Sequence, residues 1–308
     1  MCDELNSKDA EAYFLQKGAG KGVSRRTFGR LGIGAGIGSA LATALPWSAV
    51  AAAENGVSLV ESNVMVATPD GEADCYFVHP AEGRHPAVIM WPDIFGIRPA
   101  FRQMGKRLAQ SGYAVLVVNP YYRNMHGQLV PDDAKIIGPE LREKIFPKGR
   151  ELAGTLSPQT CVTDGKAFIA FLDKQAAVDP AKKAGTAGYC MTGSYTFRLA
   201  AAMPERFGAG ASFHGGGLVT EAADSPHRLI PEIKAGFLVA IAENDDERQP
   251  EAKVELRKAF DAAGLDATVE VYEGAMHGWC PPDSMAYNQV QAERAWQEML
   301  TLFAKYLN

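Results

Sequence analysis

The sequence predicts an α/β domain with a mainly parallel sheet flanked by helices on both faces, and three observations predict it. Short unbroken apolar runs recur at Ala87-Val88-Ile89-Met90-Trp91, at 114–118, at 184–189 and at 236–242. Such runs are what strands buried on both faces look like. Between them lie stretches whose apolar residues recur at helical spacing, for example Phe168, Ile169, Phe171 and Leu172 within 160–175. This strand–helix alternation is the pattern of a single α/β layer structure. The third observation is that residues able to do chemistry fall just after strand ends, where an open parallel sheet gathers its site.

Composition narrows the class. With 47% hydrophobic residues in 308, the chain can fill a large core, and a net charge of −5 gives no reason to expect nucleic acid or an anionic membrane as partner. The five cysteines, Cys2, Cys75, Cys161, Cys190 and Cys280, show no CxxC pair and no zinc-ligand spacing. An odd number cannot all pair with one another. In an exported protein one disulfide among them is possible, and the sequence does not say which.

In chain order, residues 1–23 are polar and mixed in charge. Ser24-Arg25-Arg26-Thr27-Phe28 then precedes a Gly/Ala-rich, weakly hydrophobic segment, and Ala49-Val50-Ala51 and Ala51-Ala52-Ala53 fit the small-residue cleavage pattern. These features resemble a twin-arginine (Tat) export signal. The expectation is a cleaved segment 1–53 read by the Tat machinery, a single domain over 54–308, and a periplasmic or secreted product. Leu59–Thr68 and 74–79 flank the turn Pro69-Asp70-Gly71-Glu72 and read as an edge hairpin. Strand Ala87–Trp91 leads through a loop at 92–99 to a helix at 100–111, then to a strand at 114–118. A polar excursion with Pro131, Pro139 and Pro147 reads as an insertion or lid with a short helix. A helix at 160–175, strand Ala184–Tyr189 and a helix at 194–202 follow. Strand Phe207–Phe213 ends in His214-Gly215-Gly216-Gly217, read as a tight loop walling the site. Strand Gly236–Ala242, a helix at 250–263, a strand at 268–272 and a helix at 287–307 complete the domain.

Gly188-Tyr189-Cys190-Met191-Thr192-Gly193 places a cysteine between a strand end and a helix start. Small residues let such a turn be sharp, and the helix N-terminus favours a thiolate and frees backbone N–H groups for an oxyanion. By itself this cysteine is equally a buried core residue. Two further strand ends decide the reading: Glu243-Asn244-Asp245-Asp246 and Gly274-Ala275-Met276-His277-Gly278. Nucleophile, acid and histidine in that chain order follow the α/β-hydrolases. A neutral thiol needs a base, and the base needs a carboxylate to fix its tautomer. His277 and either Asp245 or Asp246 supply these. The backbone N–H groups of Ile94 and Met191 would form the oxyanion hole.

With Pro92-Asp93-Ile94-Phe95-Gly96 and Pro120-Tyr121-Tyr122-Arg123 added, these motifs resemble the dienelactone hydrolase (carboxymethylenebutenolidase) family over roughly residues 60–307. The resemblance implies an α/β-hydrolase fold with a Cys190–His277–Asp245 triad, hydrolysis of a small ester or lactone through an acyl-thioester, and no cofactor. Asp245 is favoured by the match at Ala-Glu-Asn-Asp, while the late Pro250 keeps Asp246 open. It also places Asp93 beside the thiol, where the family often has Glu, and Arg123 on a substrate carboxylate. A second arginine of the family would stand at Pro281, and a glycine at Thr192. Those departures leave the hydrolase chemistry in place and make the substrate the open question, with a broader carboxylesterase as the alternative and a non-catalytic binding or redox-sensing protein as the rival from another class. Tyr121, Tyr122 and Trp279 are candidates to line an apolar pocket. No metal spacing or dinucleotide motif is present, and a monomer is the default expectation.

Overall fold

A computed structural model describes residues 4–19 and 56–308. The apolar runs form an eight-stranded sheet in the order β1-β2-β4-β3-β5-β6-β7-β8. Strands β1 (Leu59–Thr68) and β2 (Gly71–Pro80) make the edge hairpin, and β2 runs antiparallel to β4 (Ala114–Val117). From β4 through β3 (Ala87–Trp91), β5 (Ala184–Tyr189), β6 (Phe207–Phe213), β7 (Gly236–Ala242) and β8 (Ala267–Tyr272), every pairing is parallel. All parallel strands therefore end on one edge.

Side chains alternate across a strand, so each buried strand feeds two cores. Ala87, Ile89 and Trp91 of β3 enter one cluster with Phe168, Phe197 and Phe237; Val88 and Met90 enter the other with Phe101, Trp296 and Phe303. On the first face lie α4 (Pro158–Leu172), α5 (Gly193–Ala202) and α7 (Glu251–Ala263); on the second lie α2 (Pro99–Gln110) and α8 (Gln289–Leu307). In α2 the buried set Ala100, Phe101, Met104, Leu108 recurs at three and four residues, which is the stripe a one-sided helix needs.

Local chemistry sets several ends. Helix α4 starts two residues before the expected 160, because Ser157 Oγ accepts the Thr160 N–H (3.1 Å) and Thr160 Oγ1 accepts the Ser157 N–H (2.8 Å), with Pro158 at the first position. The excursion carries a full 15-residue helix, α3 (Pro139–Ala153), longer than the short helix expected there. Its Ile145 and Phe146 pack on Ile94 and Phe95 of the loop after β3. After β7 the expected loop is a short helix, α6 (Glu243–Arg248). Residues 4–19, within the polar stretch of mixed charge to which the sequence assigned no element, form helix α1 (Glu4–Ala19). The twin-arginine stretch and the cleavage pattern at 24–53 lie outside the described residues.

Candidate active site

The C-terminal strand edge brings Cys190, Asp245 and His277 together. Cys190 follows β5 directly and opens the 3₁₀ turn Cys190–Thr192 that leads into α5. Its φ is 60°, a left-handed conformation that a residue with a side chain adopts only when its surroundings enforce it. Two glycines provide the space. A Cβ on Gly188 would sit 2.2 Å from the Thr192 carbonyl oxygen, and one on Gly193 would sit 2.6 Å from Gly215 Cα. Thr192 provides the tether. Its hydroxyl accepts the Tyr189 N–H (2.9 Å) and stands 3.0 Å from the Trp91 carbonyl and 2.9 Å from that of Pro92. Where the resemblance led us to expect glycine, the threonine pins the cysteine turn to the end of β3.

His277 Nε2 lies 3.2 Å from Cys190 Sγ, and His277 Nδ1 lies 2.6 Å from Asp245 Oδ2. The carboxylate accepts, so Nδ1 carries the proton and Nε2 is turned towards the sulfur. The His277 backbone N–H donates to Asn244 Oδ1 at 2.8 Å, fixing the loop as well as the ring. Asp246 points elsewhere: its Oδ2 pairs with Lys253 Nζ at 2.6 Å. Of the two acids left open by the sequence, Asp245 is the one against the imidazole. The Cys190 sulfur is held in a disulfide, while Cys75, Cys161 and Cys280 are buried free thiols.

The loop after β3 supplies the opposite wall. Asp93, 7% exposed, is locked by Arg98: Nη1 and Nη2 donate to its two carboxylate oxygens at 2.7 and 2.9 Å. The same guanidinium donates to Asp283 at 2.7 and 3.1 Å. Burial opposes the Arg98 charge, but Asp283 and Asp93 outweigh it and raise its pKa above the usual range. Neither Arg98 nor Asp283 was singled out from the sequence. A basic residue in a loop after a buried strand was visible, but its partner 185 residues away was not.

Asp93, Ile94, Phe95, Arg98, Ile137, Arg142, Cys190, His277 and Met285 are among the residues lining a cleft of about 460 Å³. Ile94 and Met191 share an adjoining cavity. Four expected residues lie away from this lining. Tyr121 is fully buried behind it, its hydroxyl donating to the Ile94 carbonyl at 2.9 Å. Arg123 is spent on Asp164 (2.6 and 2.8 Å) and Asp70 (2.5 Å), and Tyr122 Oη bonds Asp164 at 2.8 Å. Trp279 is fully buried, stacked on Tyr272 and edge-on to the His214 ring. Besides Arg98, the lining holds the Arg142 guanidinium, which the sequence reading passed over. Burial lowers its pKa and Asp93 opposes that shift. Among the described residues, no group of three His, Cys, Asp or Glu is placed to hold a metal ion.

With this geometry in view, comparison with known proteins is direct. Residues 73–307 match the dienelactone hydrolase family. The chain belongs to that family. A Synechocystis protein bearing the name "Putative carboxymethylenebutenolidase" is 29% identical over 237 residues, covering 74% of this chain and 89% of its own. The crystal structure of a dienelactone hydrolase-like promiscuous phosphotriesterase from metagenomic libraries superposes with a TM-score of 0.66 at 21% identity, covering 82% of this chain and all of that one. A dienelactone hydrolase from Anabaena variabilis gives 0.57 at 17% identity, covering 81% and 99%. At these identities the two structures speak for the fold: an α/β-hydrolase-type sheet. As a dienelactone hydrolase relative, the chain is a hydrolase acting on lactone or ester bonds.

One more histidine belongs to the site's frame. His214 ends β6 with φ 40°, is fully buried, and packs edge-on at 5.1 Å against the His277 ring. Its backbone N–H donates to the Ala240 carbonyl, and the Gly216 N–H donates to the Cys190 carbonyl, so the expected tight loop braces the cysteine turn. Among the described residues, neither ring nitrogen has a hydrogen-bond partner. Burial first, and His277 second, hold the His214 pKa well below its usual value. The unfolded chain binds a proton at this side chain below about pH 6.5, where the folded chain does not, so stability falls as pH drops from there. One differential proton corresponds to a slope of up to about 1.4 kcal/mol per pH unit. In urea titrations from pH 7.5 to 5, His214→Asn, which tolerates the left-handed backbone, is expected to flatten that slope. An unchanged slope would exclude His214 as its source.

Proposed function

We propose that the chain hydrolyses a compact ester or lactone through a Cys190 acyl-thioester, with His277 as proton carrier and Asp245 orienting it. The observation that carries the reading is the line Asp245 Oδ2–His277–Cys190 Sγ, at 2.6 and 3.2 Å, lying at the cleft wall. With the sulfur reduced to the thiol, His277 Nε2 takes its proton and the thiolate attacks the carbonyl carbon. The positive charge left on the imidazole is balanced by Asp245. Charge builds on the carbonyl oxygen, which in this reading the backbone N–H groups of Ile94 and Met191 receive. Collapse breaks the bond to the alkoxy oxygen, and His277 returns the proton to it. Water, deprotonated by His277, then attacks the thioester and releases the acid and the thiol. In reduced protein, Cys190→Ala and Asp245→Asn are each expected to lower kcat on a neutral aryl ester by about 10³-fold or more. Asp246→Asn should stay near the parent. Equal losses for the two aspartate variants would reassign the acid.

The substrate class follows from what faces the cleft. Ile94, Phe95, Ile137 and Met285 offer apolar surface, and Arg142 offers a cation. Arg142, whose guanidinium lies over the Phe95 and Phe146 rings, brings that cation to the lining, whereas Arg123 lies outside the lining with Asp70 and Asp164, so an acidic substrate in this cleft would meet Arg142. In paired assays, Arg142→Gln is expected to raise KM for an anionic ester about tenfold while barely altering that for its neutral analogue, a loss near 1.4 kcal/mol. Equal effects on both would point to the broader carboxylesterase reading.

The segment 24–53 supports a second element of the reading: export through the Tat route, cleavage near 51–53, and a periplasmic or secreted enzyme. Twin arginines before a Gly/Ala-rich stretch are what carries it. Replacing Arg25 and Arg26 together by Lys is expected to retain the protein in the cytoplasmic fraction. Unchanged fractionation would reject that route.

A further inference from the structure

A second cavity meets the cleft at the reacting centre. It measures about 910 Å³ and is walled by the end of α3, the start of α4 and helix α5, whereas the cleft is lined on its own side by Ala10 of helix α1. Ile94 lines both spaces, and Met191, the neighbour of Cys190, lines the cavity. These are the two residues whose N–H groups receive the oxyanion in the reading above. Tyr121 holds the pair from behind: its Oη donates to the Ile94 carbonyl at 2.9 Å and stands 3.6 Å from Met191 Sδ.

Much of the remaining lining is apolar, from Ala153, Leu156, Pro158 and the Tyr195 ring. Its serine hydroxyls are spent on backbone. Ser157 Oγ accepts the Thr160 N–H, and Ser194 Oγ donates to the Met191 carbonyl at 3.1 Å. Arg150 and Arg198 bring two cations to a lining that holds no acidic side chain. Arg198 meets Asp224 through Nη1, at 3.0 Å to the carbonyl and 3.4 Å to a carboxylate that is half exposed.

The tetrahedral intermediate decides which part of an ester goes where. Its central carbon carries the Cys190 sulfur, the oxyanion, the alkoxy oxygen and the acyl arm. The alkoxy oxygen takes a proton from His277, which lines the cleft and not the cavity. The leaving group therefore occupies the cleft, and the acyl arm is left the direction past Ile94 and Met191.

We propose that this cavity is the acyl pocket of the enzyme and takes an extended acyl arm ending in a carboxylate, as in an adipate monoester. This rests on the reading of Cys190 as nucleophile and His277 as its proton carrier. Methylenes gain by burial against the apolar lining, and the guanidiniums receive the terminal charge. Arg142, in the cleft, meets an anion on the alkoxy side instead. The substrate is then compact only on its leaving side.

The test uses the reduced full chain and aryl esters that share one leaving group: acetate, hexanoate and the adipate monoester. Hexanoate is expected to exceed acetate in kcat/KM by about tenfold or more, and adipate to exceed hexanoate. Ala153→Phe, which fills the cavity, should cut the hexanoate-to-acetate ratio about tenfold, and Arg198→Gln should do the same to the adipate-to-hexanoate ratio. Ratios cancel any shared loss of folded or active enzyme. Failure of the nucleophile reading shows separately, as acetate turnover that persists in Cys190→Ala. A parent enzyme that prefers acetate, or a hexanoate-to-acetate ratio that Ala153→Phe does not move, overturns the acyl pocket. A parent that prefers hexanoate to adipate, or an adipate-to-hexanoate ratio indifferent to Arg198→Gln, overturns the terminal carboxylate.

Discussion

Everything in this site depends on holding one residue, Cys190, in a backbone conformation it does not prefer. A side chain at φ 60° costs of order 1–3 kcal/mol, and it persists only where the surroundings leave no alternative. Here they leave none. Gly188 and Gly193 permit backbone approaches that any Cβ would block, and the Thr192 hydroxyl joins the turn to the ends of β3 and β5. The His214 loop closes from the other side through the Gly216 N–H. The result is a sulfur aimed off the sheet edge at the start of a helix, where the aligned peptide dipoles favour negative charge.

The second constraint ties the two walls together. Arg98 is wholly buried between Asp93, on the loop after β3, and Asp283, beyond the histidine loop. Such an ion triad adds little net stability over a packed apolar one, yet losing one member leaves uncompensated buried charge, typically ~3–5 kcal/mol. Its value is therefore geometric. It fixes the distance between the proposed oxyanion loop and the loop that carries His277, and it occupies the carboxylate of Asp93. That occupation bears on mechanism: an Asp93 with both oxygens bonded to a guanidinium is poorly placed to serve as a second base for the thiol, which leaves His277 as the group at hydrogen-bonding distance.

What could be read from the sequence follows interaction range. Strands β3, β4 and β7 were legible because burial on both faces forces continuous apolar runs, and the strand-end positions of Cys190 and His277 came with the strand–helix alternation around them. The motif already favoured Asp245 over Asp246, and the physical difference between them lies in α6, where adjacent residues point in different directions once the chain turns into a helix. Arg123 and Trp279 show the opposite limit. Their motif matched, but side chains at matching positions were drawn to Asp164 and to Tyr272, partners that only the packed structure brings near. Arg142 and Arg98 went unread for the same reason. Helix α1 is a different case: it is mixed in charge with little apolar patterning, so no stripe announced it. Its order comes from a few contacts with the domain rather than from its own face.

Those contacts are concentrated where they have most consequence. Asp9 reaches Asn244 and Arg248, which flank Asp245 on one short helix, so the seating of α1 and the placement of the carboxylate against His277 draw on the same side chains. Asn244 is divided between the two: its amide nitrogen serves Asp9, and its oxygen serves the His277 backbone. With α1 in place the Asp245–His277–Cys190 line stands assembled, so the helix lies on the cleft without disturbing the strained turns at Cys190 and His214.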